Sequence, residues 1–263
     1  MGRSLIGGLL ANGFPDKNIC AVDLSEAQRQ IISEHFGIEA MADAGQALKG
    51  ADVVVVAVKP QSMQKTLTSI AAFLAKRQPL LISVAAGIET AAIAHWIGTD
   101  LAIVRAMPNT PSLLRTGAAG LFANARVNEN QRTMAESIMR AVGMTIWVDK
   151  ESLLDTVTAL SGSGPAYFFY FMEIMEKTGI NLGLTEEQAR NLVLQTALGA
   201  AKMALESDLD PHELRNQVTS PGGTTEKAIA IMQEHRLEEI IQLAIEAAAE
   251  RSRELARTLG DHH

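Results

Sequence analysis

Asp52–Val58 reads DVVVVAV. A β-branched run without alternation suits a parallel strand buried on both faces. Lys59-Pro60 ends it, and Gln61–Leu74 reads as a helix. On its amino-terminal side, Gly2, Leu5, Ile6, Leu9 and Leu10 mark a helix that Asn12-Gly13 stops. Ile19–Val22 is β-like and closes at Asp23; Ser25 caps a helix to about His35; Gly37–Met41 suits a short strand, and Asp43–Lys49 is helical. On the carboxyl side come a strand at Leu80–Val84, Ala85-Ala86-Gly87, and a helix near Thr90–Ile97. Ala102–Ala106 is a strand that runs into MPNTP, Met107–Pro111. Ala118–Ala123, Glu129–Val142 and Thr145–Val148 read as strand, helix and strand. This alternation predicts an α/β domain over residues 1–149, a doubly wound parallel sheet. Such sheets bind ligands at the carboxyl ends of their strands. Those ends carry Asp23, Ala57-Val58-Lys59-Pro60, Ala85-Ala86-Gly87 and Met107–Thr110.

From residue 150 onward no strand run recurs, and residues 150–263 read as all-α. Ser152–Leu160 is helical, SGSGPAY (Ser161–Tyr167) punctuates it, and a helix then runs to about Lys177 and stops at Gly179. Thr185–Gln188 is a capping box opening a long helix to about Glu206. Asp210-Pro211-His212-Glu213 opens another. Leu237–Leu259 closes the chain, with Ile240, Ile241, Ala244, Ala248 and Leu255 on one broad face. Core packing within one chain and helices interlocked between two chains both suit such a face.

A net charge of −7 offers no basic face to a nucleic-acid backbone. Cys20, the single cysteine, excludes an intrachain disulfide, fits a reducing cytoplasm and reads as inert core. No apolar run has the length of a membrane span, and no Cys/His cluster calls for a metal. Asp261-His262-His263 reads as the remnant of a purification tag.

Two stretches offer donors to an anion. In VTSPGGTTEKAIAIM, Val218–Met232, Gly222-Gly223 precedes a helical run and Ser and Thr crowd the junction. The first N–H groups of a helix have no internal partner and favour an anion. A glycine-rich turn with a Thr cap is the plainer reading. At the amino end, Gly2 opens a helix and Asp23 lies 21 residues later. Gly2 matches the last glycine of a dinucleotide fingerprint whose first two glycines and strand are not in the sequence; on that pattern about 12 further residues are expected upstream. The reading expects an open sheet edge and weaker pyrophosphate binding without them. Asp23 suits either a turn or the adenine ribose hydroxyls, where it would favour NADH over NADPH. Arg3 and Lys59 suit a phosphate or solvent.

Taken together, AVKP (Ala57–Pro60), SVAAG (Ser83–Gly87), MPNTP, SGSGPAY and VTSPGGTT (Val218–Thr225) resemble the pyrroline-5-carboxylate reductase family. The resemblance runs from Gly2 to about Leu255. It implies a Rossmann-type domain followed by a helical dimerisation domain, with rings of dimers, such as a decamer, as larger assemblies. It also implies reduction of 1-pyrroline-5-carboxylate to L-proline with NADPH or NADH. By that resemblance the cofactor takes Gly2, Asp23, Ala57–Pro60, Ala85–Gly87, Met107 and Asn109. The substrate takes Val218, Ser220, Gly222, Gly223 and Thr224, with Thr225 as the catalytic threonine. The SGSGPAY turn borders the substrate pocket, and Asp208 leans toward the partner subunit's site.

No histidine falls in these motifs, so the proton comes from water or is already on the imine. A 3-hydroxyacid dehydrogenase would need a Lys with an Asn four residues on. Lys177 and Asn181 have that spacing, but Gly179 between them is expected to end the helix. A non-catalytic NAD(P)-binding module is a further alternative.

Overall fold

The computed structural model describes residues 1–260, with side chains through Thr258; Asp261, His262 and His263, read as a tag remnant, lie outside the described residues. The first half runs α1 (Gly2–Ala11), β1 (Cys20–Val22), α2 (Glu26–Phe36), β2 (Glu39–Met41), α3 (Ala44–Ala47), β3 (Val53–Val56), α4 (Pro60–Arg77), β4 (Leu80–Ser83), α5 (Thr90–Ile97), β5 (Ile103–Met107), β6 (Gly117–Ala123), α6 (Glu129–Arg140) and β7 (Gly143–Trp147). Helices alone follow among the described residues: α7 (Leu153–Val157), one π-helical turn (Thr158–Gly162), α8 (Gly164–Asn181), α9 (Glu186–Glu206), α10 (Pro211–Gln217), α11 (Thr224–Glu234) and α12 (Leu237–Gly260).

The strands form two sheets, a parallel pair β1-β2 and a five-stranded sheet in the order β3-β4-β5-β6-β7. The wholly parallel sheet expected from sequence is corrected at one pairing, because β6 runs antiparallel to β5. Residues 108–116 between them hold only a 3-10 turn, and a parallel return needs a crossover of a dozen or more residues. The expectation that the valine run is buried on both faces is also corrected. In the five-stranded sheet β3 pairs with β4 alone, and Val53, Val54 and Val55 are half-buried. The fully buried strand is β4, whose four residues are all enclosed.

Alternate residues of β4 and β5 serve two cores, as the two-residue period of a strand requires. Leu81 and Ile103 meet Met63, Leu67 and Leu74 of α4 and Ile93 and Trp96 of α5. Leu80, Ile82 and Val104 join the cluster of Leu5 from α1 and Ala135 and Met139 from α6. Helices therefore cover both faces, the Rossmann-type arrangement. Each such fully buried Leu or Ile contributes roughly 1.5–3 kcal/mol. Cys20, expected in the core, is exposed on β1.

The change from α/β to all-α falls where the sequence puts it, but the compact units divide elsewhere. One comprises Met1–Ser163 together with the chain from Ala248; the other is Gly164–Ala247. Asp155 in α7 accepts a hydrogen bond of 2.7 Å from buried Ser252 of α12, which fastens the end of that helix to the first unit.

In the second unit Thr185 and Gln188 cap α9 reciprocally. Gly179 does not end α8; it lies inside the helix, where an added Cβ would come within 3.3 Å of Ala189 in α9. Close approach of two helices, not a stop, explains this glycine. Only Ala189 and Val193 are buried among the apolar side chains of this unit, while Phe168, Phe169, Tyr170, Leu192, Leu198 and Ile240 stand more than half exposed. Apolar exposure of this kind marks a contact surface. No helix among the described residues is long and apolar enough to cross a membrane.

Candidate active site

In the first unit the register pairs Val56 with Ser83 and Ser83 with Arg105. The carboxyl ends of β3, β4 and β5 therefore lie side by side and bring Ala57–Pro60, Ala85–Gly87 and Met107–Asn109 to one edge. α1 starts at the same edge, since a Cβ on Gly2 would stand 3.5 Å from that of Ala57. α1 has no side-chain cap, so its first N–H groups are available to an anion. Ala57 and Lys59 are exposed, Val58, Pro60 and Ala86 half-buried, and Ala85 and Gly87 buried. Gly87 adopts φ +74°, a left-handed conformation that glycine takes without strain.

Asp23 follows β1, in the separate two-stranded sheet. Its Oδ1 accepts from the Ser25 N–H at 2.9 Å, and Nη1 of Arg29 donates to the Asp23 and Leu24 carbonyls. The Asp23 side chain thus anchors the turn before α2 with one oxygen. Asn109 is engaged at both ends of its amide: Oδ1 accepts from Ala118 N–H at 2.9 Å, and Nδ2 donates to the Ser161 carbonyl at 3.0 Å. It ties the end of β5 to the start of β6 and to the π turn.

That π turn replaces the tight bend expected at SGSGPAY. Ser163 stays right-handed helical, so the chain continues from α7 into α8 with one widened turn. Met107 crowds Gly162 there: an added Cβ would come within 2.8 Å of its Cε.

A cluster that the sequence did not announce lies behind the edge. Glu151, just before α7, accepts from Arg105 Nη1 at 2.8 Å, from the Thr90 N–H at 2.7 Å and from the Thr90 hydroxyl at 2.8 Å. Its partners are 46 and 61 residues away in the chain, beyond any local motif.

In the second unit the junction between α10 and α11 holds Val218, Ser220, Gly222, Gly223, Thr224 and Thr225 together. Asp210 and Glu213 cap α10 reciprocally. The Thr219 hydroxyl donates to the Arg215 carbonyl at 2.6 Å, which fixes the exit from that helix. Gly222 sits at φ +72°, and a Cβ on Gly223 would press to 2.9 Å of the Ser220 carbonyl oxygen. Both glycines are therefore required by the backbone itself. The donor row differs from expectation. The Gly223 N–H bonds Ser220 O at 3.0 Å, and the Gly222 N–H bonds Oε2 of Glu226 at 2.7 Å. Among the described residues, the N–H groups of Thr224, Thr225 and Glu226 and the hydroxyls of Thr224 and Thr225 have no protein partner. Glu226 was overlooked in the sequence, although an acidic third residue after a glycine cap is a readable capping signal. Asp208 is exposed, and its carboxylate makes no bond among the described residues. Lys177 and Asn181 do share α8, against expectation, but Lys177 is ion-paired to Glu173 on the same helix. No three His, Cys, Asp or Glu side chains converge on a metal-like site among the described residues.

Residues 151–255 match the family model for pyrroline-5-carboxylate reductase dimerisation, and residues 1–87 match that for NADP oxidoreductase, coenzyme F420-dependent. The chain is 49% identical over 260 residues to the pyrroline-5-carboxylate reductase of Pseudomonas aeruginosa, covering 99% of this chain and 95% of that one. It is 43% identical to that of Vibrio alginolyticus, over 98% of this chain and 94% of the other. Among solved structures, the enzyme of Coxiella burnetii superposes with a TM-score of 0.94 at 45% identity, covering 97% of this chain and 94% of the other. The pyrroline carboxylate reductase of Plasmodium falciparum, solved with NADP bound, gives 0.84 at 29% identity over 97% and 94%.

Proposed function

The chain belongs to the pyrroline-5-carboxylate reductase family, and we propose that it reduces 1-pyrroline-5-carboxylate to L-proline with NAD(P)H, the last step of proline synthesis. The observation that carries this reading is the start of α11, where two N–H groups and two hydroxyls without protein partners stand on adjacent residues, Thr224 and Thr225. The substrate is a small ring with one carboxylate and one imine nitrogen. The carboxylate accepts from the Thr224 and Thr225 N–H groups, aided by the partial positive charge of the helix start. The Thr225 hydroxyl hydrogen-bonds the ring nitrogen and orients the C=N bond. A threonine hydroxyl is too weak an acid to act unaided, so the proton is already on the nitrogen or is relayed from water.

The nicotinamide cofactor supplies the hydride when bound. The first unit fits such a cofactor: the uncapped start of α1 packs beside Ala57 and offers N–H groups to a pyrophosphate. Ala57–Pro60, Ala85–Gly87 and Met107 line the same edge. Asn109 supports that edge through its two bonds rather than offering a free amide. The second oxygen of Asp23 would accept from the adenine ribose hydroxyls, and its charge would favour NADH over the 2′-phosphate of NADPH. The sparse core of Gly164–Ala247 supports a homodimer, with Asp208 turned toward the partner's site. With a single cysteine and no need of an oxidising compartment, we assign the reaction to the cytoplasm.

Absorbance at 340 nm tests this reading. It falls when NADH or NADPH is mixed with the protein and pyrroline-5-carboxylate. An unchanged signal with both cofactors refutes it and leaves a binding module.

A further inference from the structure

We propose that Glu226 sets the charge specificity of the substrate site: its carboxylate closes the Gly222 end of the donor row, so the start of α11 takes one carboxylate and rejects a second. The inference rests on the reading of that junction as the substrate site.

The residue is the third of α11, where a negative charge is favoured by the helix start. Its Oε2 lies 2.7 Å from the Gly222 nitrogen, a charge-assisted bond that the φ of +72° at Gly222 directs. Of five successive N–H groups, Gly222 is thus taken by Glu226 and Gly223 by the Ser220 carbonyl, while those of Thr224, Thr225 and Glu226 have no protein partner among the described residues. A fixed negative charge stands on the residue after Thr225. A ring with one carboxylate uses the Thr224 and Thr225 donors. A second carboxylate on the Gly222 side finds that N–H already taken and meets the Glu226 charge. Removal of the charge alone and removal of charge and acceptor together are separable by substitution. Glu226→Gln keeps an oxygen for the Gly222 N–H; Glu226→Ala frees that N–H.

The test is competitive inhibition of pyrroline-5-carboxylate reduction by cyclopentanecarboxylate and by cyclopentane-1,3-dicarboxylate, in the wild type and both variants. The wild type prefers the monoanion. Glu226→Gln narrows the ratio of the two inhibition constants by about 3- to 10-fold, through tighter binding of the dianion, the size expected of one near charge at a partly solvated site. Glu226→Ala narrows it further. A ratio of inhibition constants does not depend on how much protein is folded, so a loss of folded protein alone leaves it unmoved. An unchanged ratio in both variants overturns the proposal. A wild type that fails to oxidise NAD(P)H with pyrroline-5-carboxylate refutes the reading of the site instead, so the two failures are distinct.

Discussion

Glu151→Ala removes the acceptor of three hydrogen bonds at once: Arg105 Nη1, the Thr90 N–H and the Thr90 hydroxyl. The Arg105 side chain is 9% exposed and that of Glu151 21%. The guanidinium then remains enclosed without its counter-charge, and Thr90, the first residue of α5, loses its cap. Breaking a buried pair from one side costs about 3–5 kcal/mol, much of it the penalty of the stranded charge. At roughly 2–4 °C per kcal/mol for a unit of this size, the melting midpoint drops by about 6–20 °C. Asp100→Ala is the internal control. Its ion pair with Arg126 has side chains 62% and 59% exposed, and such surface pairs are worth about 0–1 kcal/mol. Thermal unfolding followed by circular dichroism, on both variants at one concentration, gives the comparison. A Glu151→Ala shift no larger than that of Asp100→Ala refutes the claim that this cluster is a buried clasp.

Thr225→Ala should lower kcat about 10- to 100-fold, the worth of a hydrogen bond to a charged group, with little change in NAD(P)H affinity; Thr225→Ser restores most of it in steady-state assays. The Trp147 indole N–H, with Arg140 second, holds the Glu136 carboxyl below the usual carboxylate value. A lowered acid adds stability above its unfolded value and loses it as pH falls through the folded value. Trp147→Phe should therefore flatten the acid limb of a plot of melting midpoint against pH, and an unaltered limb counts against the bond. Sedimentation at low micromolar concentration should show a dimer or a ring of dimers. Leu198→Glu, on the uncovered surface of α9, should shift it toward monomer, and a monomeric wild type contradicts the dimer.

The local geometry around the candidate site was readable where its signals are local. Ser25, Thr185 and Asp210 cap helices through bonds to residues three positions on. The two glycines of the α11 junction announce a left-handed turn at Gly222 and a close backbone approach at Gly223. The antiparallel turn of β6 was also legible, in the short connection from Met107 to Gly117, but was overridden by the surrounding parallel rhythm. The π turn was less so. SGSGPAY has the composition of a bend, and only the packing of Met107 on Gly162 and the Asn109 bond to Ser161 account for its helical course.

Chain pattern alone specified the order of strands and helices and the change to helices near residue 150. Those depend on periodicity and on contacts within a turn or two. Which strand is fully buried, that Asn109 ties β5 to β6 and to the π turn, that Glu151 pairs with Arg105 and that Glu226 already holds one donor of the junction were decided by the tertiary structure. Each depends on which groups a folded backbone brings within about 3 Å, and hydrogen bonds at that range carry no fixed signature in the spacing of residues along the chain.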